Sequence, residues 1–187
     1  MRKLKLQMHI SLDGYLTIEQ DAANFVWDNN VIKFCVDNLE NVDTILLGQH
    51  TAQEFINFWD SVAVNPNHSE WELGKRISEI PKIVFSNTIT NHQWKNTTVV
   101  SGNLKDEVDK IKKSNGKSIL VYGGATLASS LIENNLVDEF YFLFSPICFG
   151  KGMTIFQSVK DTLPLTLVKS QTFDCGTVLL NYKTHKQ

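Results

Sequence analysis

The sequence predicts a three-layer α/β/α fold whose mainly parallel central sheet carries an antiparallel C-terminal edge. Short apolar runs that suit strands alternate with segments of helical periodicity through the first three-quarters of the chain. Two last strand-like runs, 163–172 and 178–182, predict a closing antiparallel pair. The chain has 187 residues with no internal repeat or linker, so we expect one domain, residues 1–187.

The first element is a strand over residues 3–12, because apolar and polar side chains alternate there and predict one apolar face. Asp13 and Gly14 then supply turn chemistry. The irregular segment 15–30 follows, and a loop this long in a compact domain is often functional. A solvated connector is the alternative there. A helix is predicted over 31–39.

The second strand, 44–47, ends at Gly48. Thr51 and Glu54 have the spacing of a capping box, in which a threonine hydroxyl and a glutamate satisfy the first amides of a helix. The pattern therefore predicts a helix that starts at Thr51 and a strand-to-helix corner over 48–51.

The middle of the chain predicts a short helix over 71–78, which Pro81 separates from a third strand over 82–85. A fourth strand is predicted over 97–100.

Asn103 is placed to cap the next helix, and Asn115-Gly116 is placed to close it. The charged side chains predicted to face solvent from this helix are Lys105, Asp106, Glu107, Lys110 and Lys112. The aromatic run 138–145 predicts a strand that is buried on both faces.

The stretch 118–128 joins a buried strand to a helix through Gly123 and Gly124. The first amides of a helix are free to hold an anion, and glycines let the backbone approach a phosphate closely. Gly48 forms a second corner of this kind, and Ser86 ends a third strand at the same predicted edge. Two such corners predict a ligand with phosphates in its middle, for which a dinucleotide is the simplest choice. A plain tight turn is the alternative.

The composition excludes several classes of partner and site. A net charge of −2 gives no reason to expect nucleic acid, and no apolar run is long enough to span a membrane. Cys35, Cys148 and Cys175 are odd in number and far apart, which predicts a reducing, cytoplasmic location. The five histidines show no metal-ligand spacing, so we expect no metal.

Several motifs occur in the order found in a known group of enzymes. They are Ser11-Leu12-Asp13-Gly14, Leu47-Gly48-Gln49-His50-Thr51, Val84-Phe85-Ser86-Asn87 and Gly123-Gly124-Ala125-Thr126-Leu127, followed by Leu136-Val137-Asp138-Glu139 and Phe149-Gly150-Lys151-Gly152. With them the chain resembles the dihydrofolate reductase superfamily, and more closely the reductase half of the riboflavin-biosynthesis deaminase-reductase. The deaminase half is absent, since its zinc-binding motif does not occur.

The resemblance implies a dihydrofolate reductase-like fold, NADPH as cofactor with NADH as the alternative, and a homodimer. The residues it implies for the cofactor are Gly48, Gln49, His50, Thr51, Ser86, Asn87, Gly123, Gly124, Ala125, Thr126 and Leu127. Gly48 and Ser86 would flank the adenosine half, and Gly123-Gly124 would hold the pyrophosphate. Gln49 stands where the family often has a basic residue, which leaves the choice between NADPH and NADH open.

The predicted catalytic residues are His9 and Asp28, and the predicted substrate-binding residues are Ser11, Asp13 and Trp27. The family's usual substrate carboxylate would fall near Ile32, and Asp28 is the nearest substitute. Each assignment has a structural alternative: Asp28 as a helix cap, Asp13 as a turn cap and His9 as a passive lining residue.

The resemblance implies an NADPH-dependent reductase of a small pterin-like or aminopyrimidine-like molecule, resembling 5-amino-6-(5-phosphoribosylamino)uracil reductase. Dihydrofolate reductase proper is the alternative among enzymes. A catalytically silent nucleotide-binding or ligand-binding protein of the same fold is the alternative outside them.

Overall fold

The computed structural model describes residues 1–16 and 25–185, and residues 17–24 of the long loop predicted at 15–30 lie outside this range. The elements in chain order are β1 (Leu4–Ser11), α1 (Asn29–Asn38), β2 (Val42–Gly48), α2 (Gln49–Ala63), α3 (Trp71–Glu79), β3 (Lys82–Phe85), β4 (Thr97–Val100), α4 (Leu104–Lys113), β5 (Ser118–Gly123), α5 (Ala125–Glu133), β6 (Glu139–Ser145), β7 (Leu165–Thr172) and β8 (Val178–Thr184).

The strands form one eight-stranded sheet in the order β4-β3-β2-β5-β1-β6-β8-β7. Neighbours from β4 to β6 run parallel, whereas β8 lies antiparallel to both β6 and β7. The mainly parallel sheet with an antiparallel C-terminal edge is therefore confirmed.

Helices cover both faces of the sheet and bury a core on each side. Buried side chains of α1, α2 and α3 pack on one face, including Val31, Ile56 and Ile77. Buried side chains of α4 and α5 pack on the other face, including Val108 and Leu131. The predicted three layers are confirmed.

The prediction of one apolar face for β1 is incomplete, because β1 lies inside the sheet and both of its faces are covered. Gln7, on the predicted polar face, is buried and bonds to α1. Its Oε1 accepts from Asn38 Nδ2 at 2.7 Å, and its Nε2 donates to Cys35 Sγ at 3.3 Å. Leu12, predicted on the buried face, lies beyond the strand end and is 66% exposed.

The predicted start of α2 is wrong by two residues. The helix begins at Gln49 with Gly48 as its N-cap, and no side chain caps it. Thr51 instead lies in the first turn with its side chain against the Gly123–Gly124 corner. Close packing between two corners outweighs the local capping pattern, and it leaves the first amides of α2 without a side-chain acceptor.

Asn103 caps α4 as predicted, since its Oδ1 accepts from Asp106 N at 3.2 Å. The solvent-facing position of Lys112 is wrong, because this side chain is only 2% exposed. Its ammonium lies 2.6 Å from Asp138 Oδ2 and donates to Leu136 O at 2.9 Å. Helical periodicity cannot reveal such a partner, because it lies 26 residues away in the sequence.

Within residues 1–16 and 25–185, no helix has the length and apolarity needed to cross a membrane. The same residues contain no cluster of histidine, cysteine, aspartate or glutamate suited to a metal ion.

Candidate active site

Two strand-to-helix corners lie side by side at the carboxyl edge of the sheet. The strands β3, β2 and β5 are consecutive parallel neighbours, so their carboxyl ends meet at one edge. A register shift after Leu46 places Leu47 opposite Gly123, and Gly48 lies opposite Phe85. The β2–α2 and β5–α5 corners therefore adjoin.

Glycine is required where these corners touch. A Cβ on Gly124 would lie 3.2 Å from Thr51 Oγ1 and 3.8 Å from the Cα of Gly48. Gly124 also has φ +61°, a backbone conformation that residues with a side chain rarely adopt. A Cβ on Gly48 would meet Leu127 Cβ at 3.3 Å. Larger residues would push the two corners apart.

A cavity of about 1200 Å³ opens beside the corners. Every residue predicted for the cofactor lines it, and so do His9 and Trp27. Ser11, Asp13 and Asp28 are not among the lining residues. The fold thus brings the two glycine corners, the Ser86 loop and the middle of β1 to one space.

Both helices that start at the corners present free amides to this cavity. Neither α2 nor α5 has a side-chain cap, and neither carries an acidic residue in its first turn. Their first turns, 49–51 and 125–127, line the cavity. Unpaired amides and the positive end of the helix dipole favour an anion here.

The outer end of the cavity carries a cluster of polar side chains around Gln49. Gln49 Oε1 accepts from Ser86 Oγ at 2.7 Å and from Thr88 Oγ1 at 3.1 Å, and its Nε2 lies 3.3 Å from His50 Nε2. Asn87 Oδ1 accepts from Gly102 N at 3.2 Å and holds the neighbouring loop. Hydroxyl and amide groups of this kind suit a ribose or a nucleoside edge.

The nearby cations Lys75 and Arg76 are engaged elsewhere. The Lys75 ammonium lies 5.6 Å from the centre of the Trp71 ring, and Arg76 lies 3.8 Å from the carboxylate of Glu72. Neither cation lines the cavity.

His9 lies in the middle of β1 beneath Trp27, and the two rings stack with centroids 4.1 Å apart. Burial lowers the pKa of His9 to about 3, so the imidazole is neutral near physiological pH. Both ring nitrogens are buried and find no hydrogen-bond partner within the part of the chain that the structure describes. A neutral imidazole holds one donor and one acceptor, and both are unused here.

Sequence reasoning missed the inner end of the cavity, which Gln7, Cys35, Phe55, Trp59 and Tyr122 line. The buried Tyr122 hydroxyl lies beside Gln7 and Cys35. Burial raises the pKa of Tyr122 well above its ordinary value, so the hydroxyl stays neutral. The available signal was its position directly before Gly123, at the end of a buried strand.

Asp28 acts as the N-cap of α1, which is the structural alternative to its predicted catalytic role. Its Oδ1 accepts from Val31 N at 2.7 Å and its Oδ2 accepts from Cys175 N at 3.0 Å. The hydrogen bond from Val31 lowers the pKa of this carboxyl, so it is ionised near neutral pH. It therefore anchors the start of α1, and its predicted catalytic role has no geometric support.

Ser11 and Asp13 together fasten the turn after β1. Ser11 Oγ donates to Asp13 Oδ1 at 2.6 Å, and Asp13 Oδ2 accepts from Gly150 N at 2.7 Å. The Ser11 hydrogen bond is the main cause of the lowered pKa of Asp13. These contacts join the turn after β1 to the loop that contains Gly150. A direct contact with substrate stays a prediction for both Ser11 and Asp13.

The fold and the paired corners define a dihydrofolate reductase-like α/β protein. Within that class the chain belongs to the RibD C-terminal domain family, which matches residues 2–179. The Bacillus subtilis protein YyaP, which is uncharacterized, is 32% identical over 183 residues and the match covers 97% of this chain and 94% of YyaP.

Solved structures give the same assignment of fold. A candidate riboflavin biosynthesis protein from Shewanella sp. PV-4 has a TM-score of 0.79 at 21% identity, with 98% of this chain and 99% of that chain covered. The deaminase/5-amino-6-(5-phosphoribosylamino)uracil reductase of Thermotoga maritima has a TM-score of 0.69 at 16% identity. This match covers 98% of the present chain and 56% of the Thermotoga chain. Dihydrofolate reductase from Enterococcus faecalis, complexed with NADP(H), has a TM-score of 0.64 at 16% identity. This match covers 98% of the present chain and 97% of the Enterococcus chain. At these identities the likeness concerns the fold alone.

Proposed function

We propose that this protein is an NADPH-dependent reductase of a small heteroaromatic molecule that resembles a pterin or an aminopyrimidine. The observation that carries the proposal is the pair of uncapped helix N-termini that adjoin at one cavity through Gly48 and Gly124. Family membership and the fold shared with an NADP(H)-binding reductase support the same reading.

The residues present fit a dinucleotide from end to end. The amides at 124–127 and the uncapped start of α2 suit the diphosphate, and the polar cluster of Gln49 and Ser86 suits the adenosine half. His9 and Trp27 lie at the far end, where a nicotinamide ring would rest. The amide and hydroxyl groups of Gln49, Ser86 and Thr88 suit a ribose hydroxyl as well as a phosphate, so NADH is the alternative cofactor.

The cofactor supplies the hydride when it is bound, and the protein positions the rings and excludes water. Phe25, Trp27, Phe55 and Trp59 give the inner cavity an aromatic lining that suits two stacked planar rings. Neutral His9 acts as a hydrogen-bonding group that orients a ring edge. Asp28 takes no part in this proposal because it lies outside the cavity lining and its two oxygens accept from the amides of Val31 and Cys175.

Two other functions have specific support. A catalytically silent binding protein is favoured by the capping role of Asp28, because this predicted catalytic carboxylate does not line the cavity. Dihydrofolate reductase proper is favoured by a fold match that covers 97% of the Enterococcus faecalis enzyme.

Binding and turnover separate these proposals. Energy transfer from tryptophan to the reduced nicotinamide during titration with NADPH and NADH measures cofactor binding, since Trp27 and Trp59 line the cavity. NADPH oxidation with dihydrofolate and with a panel of pteridines and aminopyrimidines then measures turnover. We expect saturable NADPH binding and turnover with at least one panel member. Cofactor binding with no turnover would assign the protein as a binder, and no cofactor binding would refute the reductase.

We also propose that residues 1–187 form one domain, that the chain forms a homodimer and that it resides in the cytoplasm. Elements from both ends of the chain, β1 and β8, lie in the same sheet, which supports one domain. The strand β7 lies at the edge of the sheet and exposes Leu167 and Val168, which suits pairing with a second copy. Sedimentation equilibrium tests the dimer, and a single urea transition shared by all spectroscopic probes tests the single domain.

A further inference from the structure

A second cavity, of about 510 Å³, lies between α2 and the segment that joins β3 to β4. This volume falls within the range of roughly 300–1,000 Å³ that is usual for small-molecule sites. The residues that line the second cavity are Gln53, Asn57, Asp60, Ile89, Asn91, His92, Gln93, Trp94 and Lys95. None of them lines the candidate active site, so the two cavities are separate.

One wall of the second cavity is a polar face of α2. Gln53, Asn57 and Asp60 follow one another at spacings of four and three residues, which places them on the same side of the helix. The side chains of Gln53 and Asn57 are exposed and make no hydrogen bond to the residues that the structure describes. Each of these amides therefore offers a donor and an acceptor to a ligand.

Asp60 is held in a defined orientation at the end of this wall. Its Oδ1 accepts from Ser78 Oγ of α3 at 2.7 Å. Asp60 also interacts with the positive charge of Lys82, whose buried ammonium donates to Ser78 O at 3.1 Å. The Ser78 hydrogen bond uses one carboxylate oxygen, and the other can accept a charge-assisted hydrogen bond from a ligand hydroxyl.

The opposite wall is aromatic. Trp94 is half-buried and packs against the core on the side of the sheet that α2 covers. His92 stacks on Trp94 with ring centroids 5.1 Å apart and an angle of 25° between the ring planes. Because the two rings stack on each other, they form one wall and not a slot that would hold a flat base between them. The electron-rich faces of aromatic rings attract the C–H groups of a saturated ring.

The charges and hydrogen-bonding groups of the lining select an uncharged ligand. The lining holds one carboxylate, Asp60, and one ammonium, Lys95, so it favours neither anions nor cations. Asn91 and Gln93 bring the number of side-chain amides to four. Amides carry donors and acceptors side by side, as neighbouring hydroxyl groups do. The matching molecule has many hydroxyls and one face of C–H groups.

We propose that the second cavity binds a neutral saccharide, with its hydroxyls on the α2 wall and the C–H face of a pyranose ring on His92 and Trp94. A pyranose combines a polar rim with an apolar face, the two surfaces that this lining requires. The inference is independent of the proposed reductase function, since the two cavities share no lining residue.

Titration of isotope-labelled protein with glucose, galactose, mannose, maltose and cellobiose, followed by two-dimensional NMR, tests the proposal. The side-chain N–H signals of Asn57 and Trp94 report on the second cavity directly, because both residues line it. We expect saturable shifts of these signals with at least one of the five sugars. Absence of a saturable shift with all five would overturn the inference.

Asn57→Ala tests the α2 wall with little risk to the fold. We expect a loss of roughly fivefold in affinity for the sugar that binds, the effect of one hydrogen bond. The melting temperature should stay equal or rise, because Asn57 is exposed and alanine is the better helix former. Glu54→Ala, at an exposed position of α2 that lines neither cavity, is the matched control and should bind as the wild type does. Equal affinity in the two variants would contradict the site.

Ligand comparisons test the same site without altering the protein. Sorbitol keeps the hydroxyls but lacks the ring, so it should bind more weakly than glucose. Glucose 6-phosphate should bind no more tightly than glucose. Equal binding of sorbitol, tighter binding of the phosphate, tighter binding of adenosine at the same signals, or displacement of the sugar by NADPH would each overturn the inference.

Discussion

The His9 imidazole is buried at a cost that the folded chain does not recover by itself. Its two ring nitrogens have no hydrogen-bond partner among the described residues, although the residue lines the cavity. Asp28 and Asp13 are the opposite case, since backbone amides satisfy their carboxylates. Unsatisfied groups therefore mark the site more clearly than the acidic residues that sequence motifs favour.

His9 should make folding stability depend on pH. Its pKa is about 3 in the folded protein against an ordinary value of 6.5, so the unfolded chain binds an extra proton between these values. The contribution is complete above pH 6.5 and is lost as the pH falls toward 3, with a limiting slope of about 1.4 kcal/mol per pH unit.

Urea unfolding of His9→Leu at a series of pH values between 4 and 7 measures this effect. The variant should show a shallower loss of the free energy of unfolding in acid than the wild type. His92→Leu, at an exposed histidine, is the matched control and should keep the wild-type slope. Identical slopes in all three proteins would show that His9 is not held neutral by burial.

At the scale of residues, the sequence predicted much of the cavity lining and little of its inner end. Every residue that the family resemblance implies for the cofactor lines the cavity. The strand ends and glycines that form the two corners are local features of the sequence. Gln7 and Cys35 gave no such signal, since only the packing of α1 against β1 brings them together. Their role depends on contacts distant in sequence.

At the scale of elements, strands were easier to predict than helix starts and helix faces. The bounds of β3 and β4 agree with the sequence patterns, which depend on β-branched runs and a preceding proline or turn. Helix α2 begins at Gln49 and not at the predicted Thr51, because the Thr51 side chain packs on the neighbouring corner. Lys112 of α4 is buried because Asp138 lies beside it, a partner that no local pattern contains.

The pair formed by Lys112 and Asp138 joins the end of α4 to the start of β6. Asp138 Oδ2 also accepts from Leu4 N at 2.7 Å, so one carboxylate ties α4 to two strands. Lys112→Met should lower the free energy of unfolding by about 3–5 kcal/mol, because it leaves a buried carboxylate without its cation. Urea denaturation measures the loss.

Lys110→Met is the matched control for this variant. Lys110 lies half a turn away on α4 and pairs with Glu107 at the surface, where such pairs contribute little. A loss in Lys112→Met no larger than in Lys110→Met would contradict the structural role of the buried pair.

At the scale of the whole molecule, one property of the sheet organises the candidate site. Parallel strands that cross over through helices bring several carboxyl ends to one edge, where ligands of open α/β sheets bind. Family membership and the three-layer fold agree with this arrangement. The central claim is that the adjoining helix N-termini of α2 and α5 hold the diphosphate of a dinucleotide.

Gly124→Val is a poor test of that claim, since the positive φ of Gly124 and its contact with Thr51 would strain the fold as well. Thr126 is better suited because it is exposed, lines the cavity and lies in the first turn of α5. An acidic residue at this position is favourable for the helix but repels an anion bound at its N-terminus.

The most direct measurement is NADPH titration of wild type, Thr126→Gln and Thr126→Glu by energy transfer from tryptophan. We expect Thr126→Gln to bind NADPH about as tightly as the wild type. We expect Thr126→Glu to lose roughly tenfold or more in affinity, with an unchanged or higher melting temperature. Equal NADPH affinity in the glutamate and glutamine variants would contradict a diphosphate at this corner.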